Sequence, residues 1–168
     1  MLFHTPRLTV RHLDARDERA MLDVYGDADA MRWVGDGQPL DRDTCHRWIA
    51  VTLNNYATRG YGMCAAVLRA TGQVAGFAGL VHPGQQRLPE IKYALLREHW
   101  GRGLATELVA AMLADGRGRL GLGEIIATVA PANAASQRVL AKAGMHTLPP
   151  RLNDDGSTSL MFSTRRPL

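Results

Sequence analysis

The sequence predicts a mixed α/β fold in which helices pack on a central sheet. Three observations lead there. Short apolar or alternating runs of strand length are interleaved with segments whose apolar residues recur at helical spacing. Their order is β-α-α-β-β-β-α-β-α-β. No internal repeat or low-complexity linker divides the 168 residues, so one domain over 1–168 is expected.

Leu8-Thr9-Val10-Arg11 alternates as a half-buried strand does. Asp14 offers an N-cap, and Ala20, Met21, Val24 and Tyr25 follow at helical spacing. After the loop Asp36-Gly37-Gln38-Pro39, the positions Cys45, Trp48, Ile49, Thr52, Leu53 and Tyr56 form a second amphipathic helix, stopped near Gly60. Tyr61 to Leu68 and Gln73 to Val81 read as hairpin partners around Thr71-Gly72. Glu90 to Leu96 is another strand. A helix opens at Gly103 with Leu104, Leu108 and Met112 on one face, and should fray before the glycines at 116, 118, 121 and 123. Ile125 to Val129 is a buried strand. Asn133 to Ala143 is a helix ending at Gly144, and Leu160 to Ser163 is a last strand.

Composition excludes several classes. Hydrophobic residues make up 46% and charged residues 21%, enough for a full core. The apolar stretches are short and interrupted, so no membrane span is expected. Met1 to Pro6 lacks a signal-peptide centre, so a cytoplasmic location is expected. Cys45 and Cys64 form no C-x-x-C pair and read as small buried hydrophobes. The six histidines are scattered, and no metal site is expected. The net charge of +4 is spread along the chain, which suits a phosphorylated ligand as well as nucleic acid and alone decides neither. No basic stripe interleaved with aromatics points to nucleic acid.

The chemistry concentrates in Glu90 to Glu107, where a strand runs into the turn Trp100-Gly101-Arg102-Gly103 and then a helix starting Leu104-Ala105-Thr106. The first N–H groups of a helix have no internal partner, and the helix dipole adds positive potential there. Together they form a phosphate site. Gly101 and Gly103 would let a ligand approach the backbone, and Arg102 could add a charge-assisted contact. Alternatively, the glycines serve only the turn. A dinucleotide fingerprint is a further reading: Gly101-x-Gly103 matches its start and Glu124 lies at a suitable distance, but Thr106 stands where the third glycine belongs.

The same stretch resembles the acetyl-CoA signature of the GNAT N-acetyltransferase superfamily, R/Q-x-x-G-x-G/A, with Gly103 and Ala105 at the small positions. Trp100 stands where Arg or Gln is common. Trp-Gly-x-Gly-x-Ala-x-Glu is similar to the branch that includes ribosomal-protein N-terminal acetyltransferases. Thr5 to Arg11, Met31 to Gly35, and the later Asn133 to Met145, which is similar to N-x-x-S-x-x-x-x-x-K-x-G-F, extend the resemblance over nearly the whole chain. Met145 replaces the usual Phe.

The resemblance implies a mostly antiparallel twisted sheet of about six to seven strands flanked by about four helices. It implies direct transfer from acetyl-CoA, as co-substrate, to a primary amine: a protein N-terminus or a small molecule. A homodimer is compatible with it. A non-catalytic acyl-CoA sensor on the same fold is the alternative. The acceptor must be neutral to attack, so a base is needed. Glu90 is the candidate, and a solvated strand-end glutamate is the other reading. Ser136 is the candidate partner of the thiolate, or else a first-turn capping residue. Asn133 is an N-cap and a cofactor contact. Arg138 and Lys142 are candidates for the CoA phosphates, or else belong to a solvated helix face. The strand at Tyr93-Ala94-Leu95 would splay from its neighbour and offer backbone groups to the pantetheine arm and the thioester oxygen. Tyr25, Trp33, Trp48 and Tyr56 are candidates for the acceptor side, or for core.

Overall fold

The computed structural model describes residues 2–166. Met1, Pro167 and Leu168 of the expected 1–168 domain lie outside the described residues. Eight strands form one sheet in the order β1-β2-β3-β4-β5-β6-β8-β7. They are β1 (Phe3–His4), β2 (Leu8–His12), β3 (Met63–Leu68), β4 (Val74–Val81), β5 (Glu90–Leu95), β6 (Ile126–Val129), β7 (His146–Leu152) and β8 (Thr158–Ser163). The helices are α1 (Glu18–Tyr25), α2 (Ala28–Met31), α3 (Arg42–Arg59), α4 (Leu104–Gly118) and α5 (Ala134–Lys142). The mixed, mostly antiparallel α/β class stands, with one strand and one helix more than the expected upper counts.

Local chemistry sets the boundaries. The Asp14 carboxylate accepts from Arg16 N at 2.9 Å, and Asp17 accepts from Asp14 N at 3.0 Å, closing a reciprocal cap before α1. Asp41 caps α3 by accepting from Thr44 N at 2.7 Å, and Gly60 ends it with φ 79°.

Three departures from the sequence reading have physical causes. α4 runs through Gly116 instead of fraying before it. A Cβ there would lie 2.7 Å from Ile125 Cδ1 and 2.9 Å from Leu80 Cδ1, so the glycine lets the helix press onto the sheet. β7 contains Pro149-Pro150, which reads against a strand. It is an edge strand, where a missing N–H costs no ladder bond, and its register with β8 shifts across the prolines. β1 and α2, two and four residues long, are too short to display a period.

The sheet is covered on both faces. α4 and α5 pack with Leu80, Ile91, Leu95, Leu108 and Leu140 on one side. α1 and α3 pack with Leu13, Met21, Tyr25, Ile49 and Phe77 on the other. Every neighbouring pair is antiparallel except β5 and β6, which α4 joins as a crossover. These parallel strands pair at one position, Glu90 opposite Ile126. From Ile91 onward the β5 edge facing β6 has no strand partner, so the sheet opens where the sequence resemblance expects a splay.

Candidate active site

The opening is the floor of a cleft of about 1150 Å³ that reaches both faces of the sheet. On the α4–α5 side it meets the turn. Gly101 and Gly103 have φ 70° and 75°, left-handed values that a residue with a Cβ adopts at a cost of about 1–2 kcal/mol. Gly103 is the N-cap of α4, and the first helical bond that closes is Glu107 N to Gly103 O, 3.1 Å. The N–H groups ahead of it have no helical acceptor. Gly101, Gly103, Leu104, Ala105 and Thr106 line the cleft, as do Asn133, Arg138 and Lys142 of the α5 region. Arg102 is exposed and outside the lining. Its carbonyl accepts from Arg7 Nη1 at 2.9 Å, and Glu107 accepts from Arg7 Nε at 2.7 Å and from Thr5 Oγ1 at 2.6 Å. The segment before β2 therefore braces the turn. Trp100 also lines the cleft and donates from Nε1 to Leu95 O at 2.8 Å, fixing the turn against the end of β5.

Two hydroxyls meet beside this turn. Tyr93 Oη lies 2.6 Å from Ser136 Oγ. Asn133 caps α5 by accepting from Ser136 N at 3.1 Å, which sets the serine in the first helical turn. Burial pushes the Tyr93 phenol up to about 12, against the opposing effect of the Ser136 hydrogen bond. Both groups stay protonated at neutral pH; one hydroxyl proton bridges the pair and the other is left to donate into the cleft.

On the opposite face, β-strand alternation places Glu90, Lys92 and Ala94 together. Glu90 is 1% exposed and its carboxylate does not line the cleft. It accepts from the Lys92 ammonium, from the Thr128 hydroxyl, from Thr128 N at 3.2 Å and from Gln86 Nε2 at 3.1 Å. Burial pushes its carboxyl up, but the Lys92 charge and these hydrogen bonds outweigh burial and hold it below the ordinary glutamate value. Lys92 and Thr128 do line the cleft. They stand between the carboxylate and any acceptor.

The comparisons with known proteins decide the family. Residues 7–146 match the family model described as "Acetyltransferase (GNAT) domain". The chain belongs to the GNAT acetyltransferase family. It is 32% identical to YkkB of Bacillus subtilis over 146 residues, covering 84% of this chain and 83% of YkkB. Its fold is shared by AAC(6')-Ib, solved with ribostamycin and coenzyme A (TM-score 0.79, 18% identity, 95% of this chain and 93% of the other). A ribosomal-protein-S5-alanine acetyltransferase from Vibrio fischeri shares it too (TM-score 0.76, 14% identity, 96% and 94%). The chain is an acyl-CoA-dependent N-acetyltransferase.

No described helix is long and apolar enough to cross a membrane, and the described residues hold no group of three or more potential metal ligands. The rest of the acetyltransferase cleft lies over α1, α2 and α3. Tyr25, Trp33 and Trp48 line it, whereas Tyr56 does not; its hydroxyl joins Leu13 N at 2.9 Å and the Met63 carbonyl. Arg97 donates to Asp27 at 2.7 Å and 2.9 Å and to Asp29 at 2.6 Å, and lies 5.6 Å from the Trp100 ring centre. It ties the loop before α2 to the donor turn.

The sequence reading missed Lys92, Thr128 and the Arg97 link. The two-residue spacing of Glu90 and Lys92 on one strand was a usable signal. Thr128 becomes visible only with the β5–β6 register, and Asp27 lies 70 residues from Arg97.

Proposed function

We propose that this acetyltransferase moves the acetyl group of acetyl-CoA directly to the nitrogen of a primary amine, donor and acceptor meeting from opposite faces of the sheet where β5 and β6 part. The cleft that joins the two faces carries this reading. The N–H groups from Gly101 to Thr106 receive the pyrophosphate, with Arg138 and Lys142 as nearby cations and Arg102 as an exposed charge beside the turn. Asn133 sets the α5 start against the donor. The free edge of β5 at Tyr93, Ala94 and Leu95 holds the pantetheine arm and polarises the thioester oxygen.

The neutral amine attacks the thioester carbon; the C–N bond forms and the C–S bond breaks. Glu90 takes the amine proton through the hydroxyl of Thr128, a cleft-lining residue that donates to the carboxylate. The thiolate leaves against the Ser136 and Tyr93 hydroxyls. A thiol titrates near about 8.5, well below the Tyr93 phenol, so full proton transfer from that phenol is uphill. The pair therefore stabilises the thiolate by a hydrogen bond from its free hydroxyl proton, and solvent completes its protonation.

The test is thiol release from acetyl-CoA against a panel of amines and N-terminal peptides. Release that depends on an acceptor, with acetylated product found by mass spectrometry, is expected. Acetyl-CoA binding without release for every acceptor would overturn the reading and favour an acyl-CoA sensor.

A further inference from the structure

The geometry points to an acceptor whose only cationic group is the reacting amine, carried on an aromatic or branched aliphatic arm. This rests on the N-acetyltransferase reading above. It deepens that reading from "a primary amine" to a class of amine.

Two observations carry it. The acceptor half of the cleft is lined by the exposed Trp33 and the half-buried Val34, Trp48 and Met63, backed by the buried Tyr25 and Phe77. These rings and chains form a preformed wall: Trp48 meets Tyr25 edge-on at 5.4 Å, and Phe77 stacks on Tyr25 at 6.0 Å. Such a chamber takes an apolar arm, and each aromatic contact favours a ring in that place.

The second observation is charge. Among the described lining residues there is one carboxylate, Asp29, against the cations Arg32, Lys92, Arg138 and Lys142. Asp29 is already engaged on both oxygens, with Arg97 at 2.6 Å and Arg32 at 3.7 Å. Glu90, behind the wall, is engaged with Lys92. The one carboxylate among the described lining residues is therefore already shared with two guanidinium groups, and the acceptor-side cations Arg32 and Lys92 are balanced by Asp29 and Glu90. A polyamine or an aminoglycoside would bring several charges into a site whose single described lining carboxylate is already ion-paired.

The chemistry otherwise matches the proposed reaction. The amine nitrogen bonds to the acetyl carbon, its proton passes to Glu90 through Thr128, and the C–S pair leaves with the thiolate. The arm lies away from these atoms, so it governs kcat/KM without joining the bond changes.

The experiment compares kcat/KM, by acetyl-CoA-dependent thiol release, for four probes. They are 2-phenylethylamine, isoamylamine, spermidine and kanamycin, with peptides beginning in Phe or Lys as further arms. The expected result is a preference of about ten-fold or more for the two apolar monoamines over the polycations. If the Phe peptide exceeds the free amines, the arm is the side chain of an N-terminal residue; if it does not, the acceptor is a small molecule. Both carry the inferred chemistry. Val34→Asp places a carboxylate on the cleft wall. It should lower kcat/KM for 2-phenylethylamine and raise it for spermidine by about five-fold. Retention of the melting shift produced by acetyl-CoA shows that this variant is folded. A wild-type preference for spermidine or kanamycin would overturn the inference and leave the N-acetyltransferase reading intact. Release with none of the probes, despite an acetyl-CoA melting shift, would overturn both.

Discussion

Replacing Glu90 by Gln tests the proposed proton path most directly, because the side chain keeps its shape and loses only its charge. In the native protein one carboxylate oxygen accepts from Lys92, from the Thr128 hydroxyl and from Thr128 N, and the other from Gln86. The amide oxygen of the substituted side chain would keep the first three with an uncharged acceptor, each weaker by about 1 kcal/mol. Its NH₂ would face the NH₂ of Gln86, which is held in place by donating to Leu88 O at 3.1 Å, so that bond is lost. The gross loss is about 3–4 kcal/mol. The Lys92 side chain is 44% exposed and regains water, which brings the expected net loss to about 2–3 kcal/mol.

The pH dependence has a definite sign. The folded Glu90 carboxyl titrates below its unfolded value, so its contribution is present above about pH 4.3 and lost as pH falls through the lower folded value. Urea unfolding should therefore show wild type and variant converging in stability below about pH 4. Activity should fall far more than stability accounts for. With folded enzyme at pH 7.5, kcat should drop by about 10²–10⁴-fold. The acetyl-CoA Kd by calorimetry should not move, since Glu90 lies outside the cleft lining. A kcat within about three-fold of wild type, in a variant destabilised as expected, would refute the proton path and leave Glu90 as a structural anchor for Lys92.

Removing the hydroxyl pair should slow the chemical step. Ser136→Ala and Tyr93→Phe should each cost about 10–100-fold in kcat, with the double variant losing less than the product of the two, because one hydroxyl orients the other. Strictly multiplicative losses in single-turnover rates would contradict that coupling. Gly103→Val forces a β-branched residue to φ 75° at the N-cap of α4 and should weaken acetyl-CoA binding at least about ten-fold, while costing about 2 kcal/mol in urea unfolding. Unchanged acetyl-CoA affinity would remove the turn from the donor site. Cys64 is buried and its thiol is pushed up to about 12 by desolvation. Native protein should therefore be inert to a thiol reagent at pH 8, so the release assay reads coenzyme A alone. Rapid labelling of either cysteine without unfolding would contradict the packing.

Much of the fold was legible because its period was strong. α3 showed an apolar face from Cys45 to Tyr56 and a left-handed glycine to stop it, and the hairpin of β3 and β4 showed two strand-like runs around Gly72. What sequence could not supply was pairing. Nothing in Pro149-Pro150 announces a strand until β7 is known to be an edge. Nothing in Gly116 distinguishes a helix end from a helix packed closely on Leu80 and Ile125. The site divides in the same way. The donor turn was readable because glycines, a preceding strand and a following helix are contiguous. The partners of Glu90 were not, because Thr128 reaches it only through the β5–β6 register. Sequence offered Glu90 as a candidate base or a solvated strand-end glutamate; its burial and four donors exclude the solvated reading, and in the proposed path its proton passes through a neighbour.

The single parallel pair explains why both halves of the site fall where they do. A parallel neighbour requires a crossover, and α4 is that crossover, so its N-terminus must begin beside the end of β5. A right-handed twist then draws β6 away from β5 beyond Glu90 and Ile126, because no further ladder bonds hold the strands together. The helix start supplies uncompensated N–H groups on one face, and the parted strands supply a passage to the other. Placing an antiparallel strand after β5 would have needed only a tight turn and would have closed the sheet, leaving neither feature. In this chain the proposed phosphate-binding turn and the proposed route of the acceptor to the thioester are therefore two consequences of one topological choice, and the Arg97 link between Asp27, Asp29 and Trp100 ties their outer walls together.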